Sequence, residues 1–129
     1  MDCDKIAYCY AAWIHSEPFD VSVTSGNTLR ALGKHSEEVK AIHAKISAWK
    51  NNSHYASKGS LMRTAPLAVW ISAIRSEQLL YQAVKADVEF MHPNELVIQA
   101  VWHYHLAIQY LLNNPNDRKR ASVAFDMAY

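Results

Sequence analysis

The chain has 129 residues, 50% of them apolar or aromatic, with 13 basic residues, 12 acidic residues and a formal net charge of +1. This composition excludes a disordered chain, and the balanced charge excludes a nucleic-acid or anionic-membrane partner. No apolar run approaches the roughly 20 residues of a membrane span, and two cysteines are too few for a disulfide scaffold, so we expect one cytoplasmic domain over residues 1–129.

The first predicted helix, in residues 4–16, carries an apolar stripe at helical spacing, formed by Ile6, Cys9, Tyr10 and Trp13. Pro18 ends this helix and favours an extended conformation for Glu17. A short helix follows at 27–32 and stops at Gly33.

The next predicted helix begins at Ser36, an N-cap residue followed by the acidic side chains Glu37 and Glu38. Its buried face is expected to consist of Val39, Ile42, Ile46 and Trp49. Residues 50–60 then form a polar connection rich in turn-forming residues.

The helical pattern returns at Leu61, with Pro66 tolerated in a first turn. Ser76 is expected to cap another helix, with an inward stripe of Leu79, Leu80, Ala83, Val84 and Val88.

A long helix is predicted from Pro93, at its first position, to Leu112, and its apolar part begins at Leu96. Its apolar residues surround much of its circumference, which is typical of a central helix covered by its neighbours. A last helix is expected to start near Asn116 or Asp117. The sequence therefore predicts an all-α fold, a compact orthogonal domain of about six or seven helices.

Three polar patterns resemble metal sites but favour structural roles. His103 and His105 point to opposite sides of a helix and cannot share an ion. Glu89 and His92 have the spacing of one half of a di-iron site, but no second half exists. The acidic pair flanking Cys3 suits the charge preference of a helix start.

The segment "SKGSLMR" at 57–63 admits two interpretations. Gly59 allows the backbone to approach a ligand closely, and free N–H groups at a helix start can bind an anion. The same residues can also form a simple helix-capping loop.

Three ordered segments resemble the ADP-ribosylglycohydrolase family, which includes the dinitrogenase-reductase-activating glycohydrolases and the J1 crystallins. Tyr10-x-x-Trp13 precedes "EPFDVSVTSGNTLRAL", which is similar to the family's "P-x-D-I-G-x-T-T" region. The stretch "SKGSLMRTAPLAVW" closely resembles "N-G-S-L-M-R-x-x-P-L". The third stretch, "AVKADVEFMHPNELVIQAVWHYHLAIQYLL", resembles "A…D…L-T-H-P-N…A…Y…A…L-L". Together they span nearly the whole chain.

The resemblance implies an all-α domain that binds ADP-ribose between helices and, in full-length members, hydrolyses its bond to a modified side chain with two Mg²⁺ ions. It identifies the candidate ligand-binding residues as Gly59, Ser60, Met62, Arg63 and His92. The alternative role of Met62 is packing, and the alternative role of Arg63 is a salt bridge that anchors the loop.

The departures from the family pattern concern its metal ligands. The family's "T-D-D-T" run lies upstream of the Tyr-x-x-Trp helix and its "D-x-D-T/S" run lies downstream of the His-Pro helix, and neither occurs here. Asp2 and Asp4 stand at the wrong place to replace them. We therefore assign no catalytic residue, no metal ligand and no cofactor to this chain, which resembles the middle of a longer enzyme without its metal-binding ends.

Three smaller departures affect the ligand region. Lys58 stands in place of the usual asparagine, Met91 in place of threonine, and Asp20-Val21-Ser22 in place of Asp-Ile-Gly. The first adds a positive charge and the second removes a hydroxyl beside His92.

Three functions compete. The first is a catalytically silent member that binds ADP-ribose or an ADP-ribosylated protein, or that acts structurally. The second is an active Mg²⁺-dependent hydrolase completed by another chain, and the third is a self-associating helical module without a ligand. The missing terminal helices of full-length relatives and the many aromatic residues also predict a homo-oligomer.

Overall fold

The computed structural model describes residues 1–33 and 39–129. In these ranges the chain forms eight helices and no strand: α1 (Cys3–His15), α2 (Val23–Leu29), α3 (Ala41–Asn52), α4 (Gly59–Arg63), α5 (Ala65–Ile71), α6 (Glu77–Val88), α7 (Glu95–Asn113) and α8 (Arg120–Ala128). The predicted all-α class is confirmed. No helix in the described ranges has the length and apolar character needed to cross a membrane.

The helix count exceeds six or seven because the segment that starts near Gly59 is divided. α4 and α5 meet at Thr64, and Pro66 lies in the first turn of α5. Proline has no N–H and its ring clashes with the carbonyl four residues earlier, here that of Met62, so one continuous helix cannot form. The prediction that Pro66 lies in a first turn is confirmed.

The predicted N-cap at Ser76 is confirmed, and Asp2, predicted as a negative charge at a helix start, is the N-cap of α1. The Asp2 side chain accepts a hydrogen bond from the Lys5 backbone N–H at 3.1 Å, and Ser76 accepts one from Leu79 at 3.4 Å. The predicted cap at Ser36, with Glu37 and Glu38, lies outside the described residues. α3 begins at Ala41.

The hydrophobic core has two parts. The first joins α1, α2 and α3 to the segment after α6, with ten buried residues: Ala7, Ala11, Ile14, Leu29, Leu32, Val39, Ala41, Ala44, Phe90 and Met91. The second joins α5, α6 and α7 through Ile71, Leu80, Val84, Val88, Val97, Ile98 and Val101.

The predicted buried face of α3 is wrong except for Val39, which precedes the helix and is buried. Ile42, Ile46 and Trp49 are 57%, 47% and 60% exposed. The buried residues of this helix are instead Ala41, Ala44, Ala48 and Asn52. Small side chains allow helix backbones to approach closely, and α3 packs this alanine face against α1 and α2.

In α1 the buried face is likewise displaced by about one residue from the predicted apolar stripe. Its buried residues are Ala7, Ala11 and Ile14. The predicted stripe lies beside this face: Ile6 and Tyr10 are partly buried, and Cys9 and Trp13 are exposed. Both cysteines are free thiols.

Two boundary predictions in this region are also wrong. Glu17 has φ 55, in the left-handed region instead of the extended one. It follows the C-cap Ser16, where a left-handed residue commonly ends a helix. α2 occupies residues 23–29 because Ser22 caps it, so it begins and ends earlier than predicted and does not extend to Gly33.

α6 buries Leu80, Val84 and Val88 as predicted, with Ala83 partly buried, but Leu79 is exposed. The cause is geometric, because a stripe of adjacent residues on a helix is wider than the surface that α5 and α7 cover.

α7 packs against α4, α5, α6 and α8 and is the central helix, as predicted. It begins at Glu95 with Asn94 as its N-cap, so the placement of Pro93 at the first helical position is wrong. Its middle is buried, whereas Leu96 is 74% exposed and Leu112 is 47% exposed, so the neighbours do not cover its ends.

α8 starts at Arg120, later than predicted. Asp117 accepts hydrogen bonds from the Lys119 N–H and the Tyr110 hydroxyl, and these bonds hold the preceding residues in a turn.

Candidate functional site

A cavity of about 550 Å³ opens between α1, the connection into α2, α4 and the segment after α6. Ten residues line it: Cys9, Tyr10, Trp13, Asp20, Ser22, Ser25, Gly59, Met62, Arg63 and Met91. Its volume suits a ligand of the size of a nucleoside or larger.

Arg63, at the end of α4, is held by Asp87 of α6. Its Nη1 donates to Asp87 Oδ2 at 2.5 Å, and its Nη2 donates to the Asp87 backbone carbonyl at 2.8 Å. The two side chains are only 17% and 7% exposed. Removing one partner would leave an uncompensated charge in a poorly solvated place, so this ion pair fixes α4 against α6. The predicted anchoring salt bridge of Arg63 is therefore present.

Tyr10 completes this cluster. Its hydroxyl accepts a hydrogen bond from Arg63 Nη1 and donates one to Asp87 Oδ1 at 3.2 Å. The guanidinium carbon of Arg63 lies 5.2 Å from the centre of the tyrosine ring. Burial and the negative charge of Asp87 raise the pKa of Tyr10 to about 12, against the opposing influence of Arg63, so the hydroxyl stays protonated at neutral pH.

His92 lies behind the cavity wall and is fully buried. Its Nδ1 is 2.7 Å from Ser60 Oγ, and its Nε2 is 3.2 Å from Thr24 Oγ1. Burial, with a smaller contribution from the charge of Arg63, lowers the pKa of His92 to about 4. The ring is neutral at pH 7, so one nitrogen donates and the other accepts, and both hydroxyls find a partner.

The His92 ring leaves little room for a side chain at Gly59. A Cβ atom at position 59 would lie 3.2 Å from His92 Cε1 and 3.5 Å from Nε2. Contacts as short as the first are tighter than ordinary packing, and the ring is hydrogen-bonded on both sides and cannot move freely. The close approach that glycine allows here is to a buried side chain.

The five predicted ligand residues therefore divide into two layers. Gly59, Met62 and Arg63 line the cavity, whereas Ser60 and His92 are fully buried behind it. The alternative packing role of Met62 does not apply to its side chain, which is 75% exposed. Binding of a ligand to these residues stays a prediction.

Sequence reasoning missed most of the wall opposite α4. Trp13, Asp20, Ser22 and Ser25 line the cavity, together with Met91. The sequence contained a partial signal, because two of them lie in the segment where Asp-Ile-Gly is replaced.

Asn52 was also missed, since it falls in the predicted polar connection. It is fully buried, and its Nδ2 lies 2.8 Å from each of three acceptors, the Thr24 carbonyl, the Thr28 hydroxyl and the Met91 carbonyl. It thereby joins α2, α3 and the segment after α6 behind the cavity. Its Oδ1 is buried with no hydrogen-bond partner among the described residues.

The residues present do not fit a two-metal centre. Across residues 1–33 and 39–129, no group of three or more His, Cys, Asp or Glu side chains could hold a metal ion. Of the carboxylates in the described part of the chain, Asp20 is the one that lines the cavity. Asp2 caps α1, and Asp4 accepts a hydrogen bond from the Ala41 N–H at 2.9 Å.

The residues of the other histidine patterns make contacts within the protein. Glu89 forms an ion pair with Lys45 at 3.1 Å. His105 is buried, with Nδ1 2.7 Å from the Val101 carbonyl, and burial lowers its pKa. The ring of His103 lies 4.8 Å from that of Trp102.

Comparison with known proteins agrees with this architecture. The family model described as ADP-ribosylglycohydrolase matches residues 1–128, which is nearly the whole chain. Searches among curated proteins and among solved structures found no match.

Proposed function

Because this chain belongs to the ADP-ribosylglycohydrolase family, we propose that it binds an ADP-ribose-type ligand in the cavity beside Arg63 and does not hydrolyse it alone. The observation that carries the proposal is that Gly59, Met62 and Arg63 line a single cavity of about 550 Å³. The family motif and the cavity thus coincide.

The buried layer supports binding because it makes the cavity wall rigid. Arg63 is fixed by Asp87, and α4 is fixed from behind by the Ser60–His92 pair. A wall that is formed before the ligand arrives does not lose conformational entropy on binding.

The oxygen ligands at hand support the proposed absence of hydrolysis. Two hard cations need several oxygen ligands that they share, and Asp20 is the one carboxylate among the described residues that line the cavity. The described residues offer no cluster of carboxylates that would supply the rest. A second chain that brings such carboxylates is the condition for the alternative function, an active hydrolase.

Calorimetric titration with ADP-ribose tests the proposal. We expect measurable binding, weakened several-fold in Met62→Ala, because this exposed side chain lines the cavity. Met127→Ala is the matched control, since Met127 is an exposed methionine outside the cavity. No heat with the wild-type chain, or equal affinities for both variants, would overturn the proposal.

Magnesium-dependent release of ADP-ribose from a modified protein distinguishes the alternative. The chain alone is expected to release none. Release that appears only when a second protein is added would favour the completed hydrolase.

Self-association is a second candidate, favoured by the exposed face of α3. Ile42, Ile46 and Trp49 form one apolar stripe on this helix, which the described residues leave uncovered. We propose that a second copy of the chain covers it, because a two-fold axis brings the stripe against itself and a net charge of +1 gives little repulsion between copies.

Sedimentation at micromolar concentration tests this association. We expect a concentration-dependent dimer that Trp49→Glu converts to a monomer, while Phe125→Glu, an exposed aromatic on α8, does not. A single 14.6 kDa species at every concentration would rule it out.

A further inference from the structure

The charges around the cavity indicate which part of a nucleotide ligand it can bind. Within residues 1–33 and 39–129, two charged residues line it, Asp20 and Arg63. Arg63 is already neutralised by Asp87, whereas Asp20 takes part in no ion pair within the described ranges. The described residues of the cavity wall therefore carry a net negative charge.

Arg63 has little left to offer a phosphate. Both of its Nη atoms donate within the protein, to Tyr10 and to Asp87, and its Nε is buried with no hydrogen-bond partner in the described part of the chain. A diphosphate that drew Arg63 away from Asp87 would leave that carboxylate, which is 7% exposed, as an unpaired buried charge.

The rest of the wall suits a planar, uncharged group. Tyr10 and Trp13 lie one turn apart on α1, and Met62 and Met91 add flexible thioethers. The hydroxyls of Ser22 and Ser25 and the carboxylate of Asp20 can pair with ring amino groups or with sugar hydroxyls.

We propose that this cavity recognises an uncharged nucleoside, with its ring against Trp13 and its sugar hydroxyls donating to Asp20, and that phosphates contribute little to the affinity. This inference rests on the proposed function, and it states which part of the ligand the cavity binds. The phosphates of a larger ligand then lie outside the cavity.

Calorimetric titration with three probes tests the inference: adenosine, ADP-ribose and inorganic pyrophosphate. We expect adenosine to bind within about tenfold of ADP-ribose, and pyrophosphate neither to bind nor to compete. Raising the salt concentration is expected to leave the affinity for adenosine unchanged, because no ion pair forms.

Two variants at position 13 place the ligand in the cavity. Trp13→Ala is expected to weaken adenosine binding about tenfold, since a base stacks on this ring, whereas Trp13→Phe retains a ring and most of the affinity. Trp70→Ala removes an exposed tryptophan outside both the cavity and the α3 stripe and is the control. Circular dichroism checks that each variant is folded.

The outcomes separate this inference from the proposed function. ADP-ribose that binds while adenosine does not, or pyrophosphate that competes, would overturn the inference and leave the proposed function standing. If adenosine binds and ADP-ribose does not, the proposed function is overturned and the inference stands. Equal adenosine affinity in the wild type, Trp13→Ala and Trp13→Phe would also overturn the inference.

Discussion

Acidification is expected to destabilise this protein through His92. The ring is fully buried, and each of its nitrogens faces a hydroxyl, of Ser60 or of Thr24. Burial and the nearby charge of Arg63 hold its pKa at about 4, below the ordinary value of 6.5. Above pH 6.5 the ring is neutral in the folded and the unfolded chain, and its full contribution to stability is present.

Between pH 6.5 and about 4, the His92 ring binds a proton in the unfolded chain but stays neutral in the folded chain. The free energy of unfolding therefore falls as the pH falls, and the loss from His92 is complete near its folded pKa of about 4. A difference between 6.5 and about 4 corresponds to about 3 kcal/mol, at 1.36 kcal/mol for each pH unit. This is a large fraction of the roughly 5–15 kcal/mol that stabilises a typical domain.

Urea unfolding from pH 7 to pH 4 measures the effect. The wild type is expected to lose about 3 kcal/mol more than His92→Gln over this range, because the variant has no ring to titrate. His54→Gln is the control for removing a histidine, since His54 is exposed.

An NMR titration of the His92 ring gives an independent reading if His92→Gln does not fold. A ring that titrates near pH 6.5 in the folded protein, or parallel pH curves for the wild type and His92→Gln, would refute the reasoning.

Three further predictions use the same purified chain. Asp87→Ala should lower the free energy of unfolding by about 3–5 kcal/mol, because it leaves Arg63 buried and unpaired. Glu89→Gln, the control, should lower it by under about 1 kcal/mol. Equal losses for the two variants in urea unfolding would contradict this prediction. Ile98→Asp should prevent cooperative melting, because it places an unpaired charge in the core. Leu96→Asp is the control and should melt close to the wild type by circular dichroism, since the Leu96 side chain is 74% exposed. A cooperatively melting Ile98→Asp variant would contradict the burial of α7. Millimolar Mg²⁺ should leave the melting temperature unchanged, and a rise of several degrees would reveal a metal site.

The helical class, the cap at Ser76 and the helix start at Asp2 could be predicted from the sequence because they depend on neighbouring residues. Asp2 and Ser76 cap helices through backbone groups three residues away. The break between α4 and α5 follows from Pro66 in the same local manner. The family was also readable from ordered motifs, above all the segment at 57–66.

The orientation of the helices could not be predicted in the same way. In α3 the largest apolar residues, Ile42, Ile46 and Trp49, mark a stripe that periodicity assigns to the core, but the core receives the alanines beside them. Periodicity shows that a helix has an apolar face, whereas the distance to its neighbours decides which face fits between them.

The candidate site shows the same limit. The sequence by itself determined the motif that contains Gly59 and Arg63, and it suggested that a glycine there allows a close approach. Only the tertiary structure decided what approaches, by placing His92 against Gly59 and Asp87 against Arg63. These partners lie 24 to 33 positions away in the chain, and no local rule connects residues so far apart. Burial removes water from such polar groups, so they require each other only when the fold has brought them together.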